Sequence, residues 1–147
     1  MSEDDFRHRA SLEVRFRDVD AFGHVNNAVV STYVEQARVR YLHEILGVDP
    51  VGNMPLILAM IKVDYLAPIF WGDRVEVGSR VDWIGRTSLA MSHRLSAGED
   101  RQLARASSVL VAYDYEQARP MPVPDAWRAA LVAHEGRDLT RPSQGAT

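Results

Sequence analysis

The run Arg15-Phe16-Arg17-Asp18-Val19-Asp20-Ala21-Phe22-Gly23-His24-Val25-Asn26-Asn27 leads straight into an apolar-periodic stretch that ends at Gly47. Its first part alternates. Over 11–18, Leu12, Val14 and Phe16 fall on one side and Glu13, Arg15 and Arg17 on the other, the pattern of a half-buried strand. The alternation stops at Asp18 and Asp20, and Gly23 marks a turn. From Asn27 the period becomes helical. Val30, Val34, Ala37, Tyr41 and Ile45 make one stripe, widened by Val29, Tyr33, Val39, Leu42 and Leu46. Gln36, Arg40 and His43 remain as a polar strip, and Gly47 is a natural stop. A helix over 27–46 would be roughly 30 Å long. So much apolar surface predicts cover on most of its sides.

The first backbone N–H groups of a helix lack intrahelical partners and carry partial positive charge. A carboxylate beside such a start makes a reaction site: the N–H binds a developing negative charge and the acid supplies a base or nucleophile. Asp20 is the candidate acid, as proton acceptor or as direct attacker of a carbonyl carbon. Alone, an Asp here would be a turn former. Asn27 is the candidate oxyanion donor through its backbone N–H, and Asn26 or Asn27 suits an N-cap. Gly23 permits a tight turn. His24 orients that turn or lines the site. Asp18 supports the turn or pairs with an Arg. Glu35 and Arg38 share a helix face and can pair.

Downstream, Pro50 and Pro55 mark a loop. Strand patterns follow over 56–66, 74–83, 87–96 and 102–115. In the second, Val75, Val77, Val81 and Trp83 oppose Arg74, Glu76, Arg80 and Asp82. The third aligns Leu89, Met91, His93 and Leu95; the fourth aligns Leu103, Val109, Val111, Tyr113 and Tyr115. Gly85-Arg86 and Ala97-Gly98-Glu99-Asp100 read as tight hairpins. A short helix is predicted over 125–134, after Pro120, Pro122 and Pro124. The order β-α-β-β-β-β then predicts an α+β fold: about five antiparallel strands curled around one long helix. One domain covers 1–135, and 136–147 is expected to be a flexible tail.

Composition narrows the function. The net charge of −3 gives no general attraction to nucleic acid or anionic membrane. No apolar run approaches the ~20 residues of a membrane span, and the polar start is not a signal peptide, so a cytoplasmic protein is expected. With no cysteine there is no thiolate chemistry, and the 5 His form no metal-ligand spacing. Serine-hydrolase elbow, phosphate loop and dinucleotide fingerprint are all missing.

The block Asp18-x-Asp20-x-x-Gly23-His24-Val25-Asn26-Asn27, followed by Tyr33-x-Glu35-x-x-Arg38, resembles the hotdog-fold acyl-CoA thioesterases of the 4-hydroxybenzoyl-CoA thioesterase-like family. The resemblance implies a hotdog fold and hydrolysis of an acyl-CoA thioester, with coenzyme A as part of the substrate and no further cofactor or metal. It implies Asp20 and Asn27 as catalytic positions, and Gly23, His24, Val25, Asn26 and Glu35 as substrate-binding ones. Arg86, Thr87 and Ser88 stand where the family contacts the coenzyme A phosphates; Arg suits phosphate through its planar fork of donors. A homodimer or homotetramer with the site at a subunit interface is also implied. Val30 departs from the family, in which an aromatic is frequent there. Two other readings belong to the same fold. One is an enoyl-thioester hydratase or dehydratase, although Asn27 stands where a His would be needed. The other is a non-catalytic acyl-CoA binder.

Overall fold

A computed structural model describes residues 6–52 and 54–143. The elements are β1 (His8–Glu13), a 3-10 turn (Phe16–Asp18), α1 (Asn27–Leu46), β2 (Leu56–Tyr65), β3 (Arg74–Ile84), β4 (Ser88–Ser96), β5 (Gln102–Asp114), β6 (Arg119–Pro120) and α2 (Asp125–Glu135). The five long strands form one antiparallel sheet in the order β1-β3-β4-β5-β2, with the short β6 on β5. α1 packs on one face. Neither helix is long and apolar enough to cross a membrane.

α1 starts and stops where the local signals put it. Asn26 accepts from the Ala28 N–H through its side chain, and Gly47 closes the helix at φ 70°. The core lies between α1 and the sheet in two apolar clusters. Val30, Val34 and Ala37 meet Val75, Val77, Leu95 and Ala104 near the helix start. Tyr41 and Leu42 meet Val81, Leu89, Met91 and Leu110 near its end. A polar rung separates them: Ser79 faces His93 between the pairs Val77–Leu95 and Val81–Met91. His93 bonds Ser79 Oγ at 2.9 Å and Ser108 Oγ at 3.3 Å. Burial, then the nearby Arg38 charge, push its pKa down to about 3, so this rung is neutral imidazole between two hydroxyls.

Four expectations are corrected. The first strand is His8–Glu13 rather than 11–18, and Phe16 is 80% exposed. The cause is local. The Arg15 N–H donates to Asp18 Oδ2, which curls the chain into the 3-10 turn and ends the alternation. In β5 the buried face is Ala104, Ala106, Ser108, Leu110 and Ala112, while Val109, Val111 and Tyr113 sit half-buried on the opposite face. α1 also has a solvent side, with Thr32, Glu35, Gln36, Arg40, His43 and Glu44 exposed, so the sheet covers about half of it. Finally, the chain beyond α2 is packed rather than loose as far as residue 141: Leu139 is buried, Thr140 bridges to Ile84 and the Arg141 guanidinium lies over the Trp83 ring. Residues 144–147 of the expected tail lie outside the described residues.

Among the described residues β2 ends the sheet with one side unpaired, and Leu58 and Met60 are exposed on it. An open, apolar edge is a template for pairing with another chain.

Candidate active site

The acidic turn is a closed loop held by its own backbone. Val19 bridges Val25, the Asp20 N–H donates to His24 O at 3.1 Å, and the Gly23 N–H donates to Asp20 O at 3.0 Å. Gly23 has φ 86°, a left-handed conformation that costs a residue with a Cβ far more. The loop is tied down by Val25, whose N–H donates to Ile69 O at 2.7 Å. Val25 is 2% exposed. Its side chain belongs to the core cluster near the start of α1 and anchors the loop from below.

Asp20 is half-buried, and each of its carboxylate oxygens has one donor. The Phe22 N–H reaches Oδ1 at 2.9 Å, and the Asn26 side-chain amide reaches Oδ2 at 3.1 Å. Asn26 also accepts from the Ala28 N–H at 2.9 Å. Two hydrogen bonds therefore link the acid to the start of α1. The Asn27 N–H has no partner among the described residues, as expected at a first helical position. The acid and the free amide share one end of the molecule.

A cleft of ≈ 380 Å³ opens at the same end, between His24, Asn27 and Val30 on one side and Tyr65 to Ile69 with Leu103 on the other. Its walls are mainly apolar. Tyr65 Oη donates to Asn27 O at 3.1 Å, which fixes the loop after β2 against the helix start. His24 lines the cleft, its Nδ1 3.3 Å from Val25 O and its ring stacked with Phe22. Asp20 is not itself in the cleft's wall; it is bonded to Asn26, the neighbour of the wall residue Asn27.

Asp18 has the supporting role expected. It is 2% exposed and accepts from the Arg15 N–H, the Arg15 guanidinium and, at 2.6 Å, the Tyr33 hydroxyl. Burial alone would raise its pKa, but the Tyr33 and Arg15 donors outweigh it and hold the carboxyl below its usual 3.8. Tyr33, read from the sequence only as part of the apolar stripe, is thus the residue that α1 sends to this acid. A carboxyl depressed in the folded state stabilises fully above its unfolded value and loses that stabilisation as pH falls through the folded one. Tyr33→Phe removes a donor to a buried charge. Unfolding measured against pH should show a loss of about 1.5–3 kcal/mol at neutral pH, with acid unfolding starting at higher pH than in the parent. Identical acid unfolding in the two proteins would refute this.

Other expected residues lie elsewhere. Glu35 is on the exposed side of α1, 4.0 Å from Arg38, which is buried. It sits about 12 Å along the helix from Asn27, so one chain does not bring it to Asp20. Arg86, Thr87 and Ser88 form the β3–β4 hairpin, where Arg86 O and Thr87 O accept from Val123 and Ala112. Ile84 and Leu89, which flank it, pack with Tyr41 and Leu42 at the far end of α1. Within one chain this hairpin and Asp20 are therefore at opposite ends of the domain. Among the described residues no group of three or more His, Cys, Asp or Glu could hold a metal ion.

A model of the thioesterase-like superfamily matches residues 14–131, from the end of β1 to the middle of α2. The chain belongs to the thioesterase-like superfamily. Like its relatives, this thioesterase has the hotdog fold. It is 42% identical to a thioesterase of Thermus thermophilus whose crystal structure holds coenzyme A and zinc, over 92% of this chain and 99% of that one, at a TM-score of 0.82. It is 27% identical to a chloroplastic acyl-acyl carrier protein thioesterase of Arabidopsis thaliana over 129 residues, 85% of this chain and 67% of the plant protein. The acyl-CoA thioester hydrolase YbgC of Escherichia coli is 25% identical over 119 residues, 79% of this chain and 89% of its own length.

Proposed function

We propose that this thioesterase hydrolyses an acyl-CoA thioester to the free acid and coenzyme A, with Asp20 as the reacting acid and the Asn27 N–H as the oxyanion donor. One observation carries the reading. Asp20 is joined through Asn26 to the helix start that presents the unpartnered Asn27 N–H, beside an apolar-walled cleft. The acyl group fits the apolar walls, and its carbonyl oxygen points at Asn27. As the carbon is attacked, the oxygen becomes an anion and the N–H bond to it strengthens. Losing one such donor raises the barrier by about 2.7–4 kcal/mol in other hydrolases. Asp20 either takes a proton from water, whose oxygen adds to the carbon, or adds itself to form a mixed anhydride that water then cleaves. In both routes the carbon–sulfur bond breaks and the thiolate leaves, to be protonated to coenzyme A.

The assembly in this reading is a dimer built on β2. Two-fold related edge strands pair antiparallel. That sets the start of α1 in one subunit toward the end of α1 in the other, the end that carries Arg86, Thr87 and Ser88. The partner's hairpin can then receive phosphates of a coenzyme A whose thioester lies at Asp20. Leu58 and Met60, exposed at the edge, would be covered.

The test is free-thiol release from a panel of aliphatic and aromatic acyl-CoAs, with the mass in solution measured on the same sample. Turnover by a species of twice 16.5 kDa is the expected result. Tight binding without thiol release, or hydration of an enoyl-CoA without it, would overturn the reading.

A further inference from the structure

We propose that Asn26 is a positioning residue for the reaction: its side-chain amide holds the Asp20 carboxylate in place beside the Asn27 N–H. This rests on the reading of Asp20 given above. Asp20 lies in a solvent-reached turn, where a carboxylate would otherwise sample several rotamers. Catalysis by proximity needs one of them, because a displacement of about 1 Å can cost ~10²-fold.

Asn26 is itself immobilised through all four of its polar groups. Its N–H donates to Asp18 O at 2.9 Å, and its O accepts from the Val29 N–H at 2.9 Å. Its Oδ1 accepts from the Ala28 N–H at 2.9 Å and its Nδ2 donates to Asp20 Oδ2 at 3.1 Å. The amide can sit only one way round. A backbone N–H needs the oxygen and a carboxylate needs the NH₂ group, so the reverse orientation leaves both contacts repulsive. Anchoring extends inward as well. Asp18, whose carbonyl receives the Asn26 N–H, is buried and held by Arg15 and Tyr33. A rigid path thus runs from the core through Asn26 to the reacting acid. Helix capping explains Oδ1 and leaves Nδ2 unexplained, since an N-cap needs only an acceptor. Serine or aspartate would cap α1 as well; of the good capping residues, asparagine alone carries an NH₂ separate from its capping oxygen, and here that group reaches Asp20.

The two jobs separate by mutation. Asn26→Ser keeps a capping oxygen and is too short to donate to Asp20. We expect an unchanged melting temperature, an unchanged KM, and kcat lower by about 10- to 100-fold. Asn26→Asp also keeps the cap, and it sets a second carboxylate where the donor stood. Like charges at that range force one carboxyl to keep its proton, so kcat should fall further and the acid limb of its pH profile should move to higher pH. The decisive measurement combines variants. In an Asp20→Asn background, Asn26→Ser should lower kcat no further, because the group it positions is already gone. A normal kcat in Asn26→Ser beside an inactive Asp20→Asn would overturn this proposal and leave the thioesterase reading standing. So would losses that multiply in the double variant, or that track a fall in melting temperature in both Asn26 variants; Asn26 would then be a cap and nothing more. Full turnover in Asp20→Asn itself would remove both readings together.

Discussion

Asp20→Asn should turn over acyl-CoA at least ~10²-fold more slowly than the parent, the usual scale for a lost acid–base group, with KM and melting temperature nearly unchanged. The fold has little at stake. The Asp20 side chain makes two hydrogen bonds, to the Phe22 N–H and the Asn26 amide, in a turn that water reaches. An Asn at position 20 can still accept one of them, and solvent satisfies the other group. The turn is also closed by backbone bonds that do not involve the side chain: Gly23 N–H to Asp20 O, Asp20 N–H to His24 O and Val25 N–H to Ile69 O. What disappears is the charge. An amide cannot take a proton from water at neutral pH, nor form an anhydride. The Asn27 N–H stays in place, so substrate still binds and a residual rate from oxyanion stabilisation survives. Thiol release gives kcat and KM, and thermal unfolding gives the fold control. Near-parental kcat in a folded variant would take Asp20 out of the chemistry.

How far the chain could be read depended on how local each determinant is. α1 was legible to the residue, because its cap, its period and its glycine stop all lie within the segment. The later strands were legible to within one residue, since hairpin turns punctuate them. The inner face of β5 was not. Val109, Val111 and Tyr113 sit half-buried on the outer face, while Leu110 and the small residues Ala104, Ala106, Ser108 and Ala112 fill the inner one. That choice is made by the space between two elements distant in sequence, and periodicity has no access to it. The turn sequence from Asp18 to Asn27 pointed to the candidate acid and to the helix start. It could not show that Asn26 bridges them, that Tyr33 reaches Asp18, or that residues 65–69 form the facing wall. Each needs the folded neighbourhood. The hairpin at Arg86 shows the same limit: its place at the far end of α1 from Asp20 is set by packing against Tyr41 and Leu42, which local sequence does not record.

The largest effect on stability should come from the other end of α1, in Glu135→Ala. Glu135 is the last residue of α2 and is 4% exposed. Its Oε2 accepts from Tyr41 Oη at 2.5 Å and from the Val81 N–H at 3.0 Å. One carboxylate thus ties α2, α1 and β3 together. Tyr41 is fully buried; burial and then the Glu135 carboxylate push its ionisation up, so it remains a protonated donor throughout the neutral range. Removing the acceptor strands two buried donors, each at a cost of about 1–3 kcal/mol. The expected loss is therefore about 2–6 kcal/mol, which for a domain of this size lowers Tm by roughly 4–24 °C. Tyr41→Phe removes one of the two donors, so the double variant should lose less than the sum of the singles. Activity gives the contrast. Position 41 is about 21 Å along α1 from Asn27, so Glu135→Ala assayed well below its Tm should keep kcat within about twofold of the parent, as expected for distant sites. A Tm shift below about 2 °C would show that solvent or a rearranged α2 satisfies both donors, and that the carboxylate is not what ties α2 to the domain.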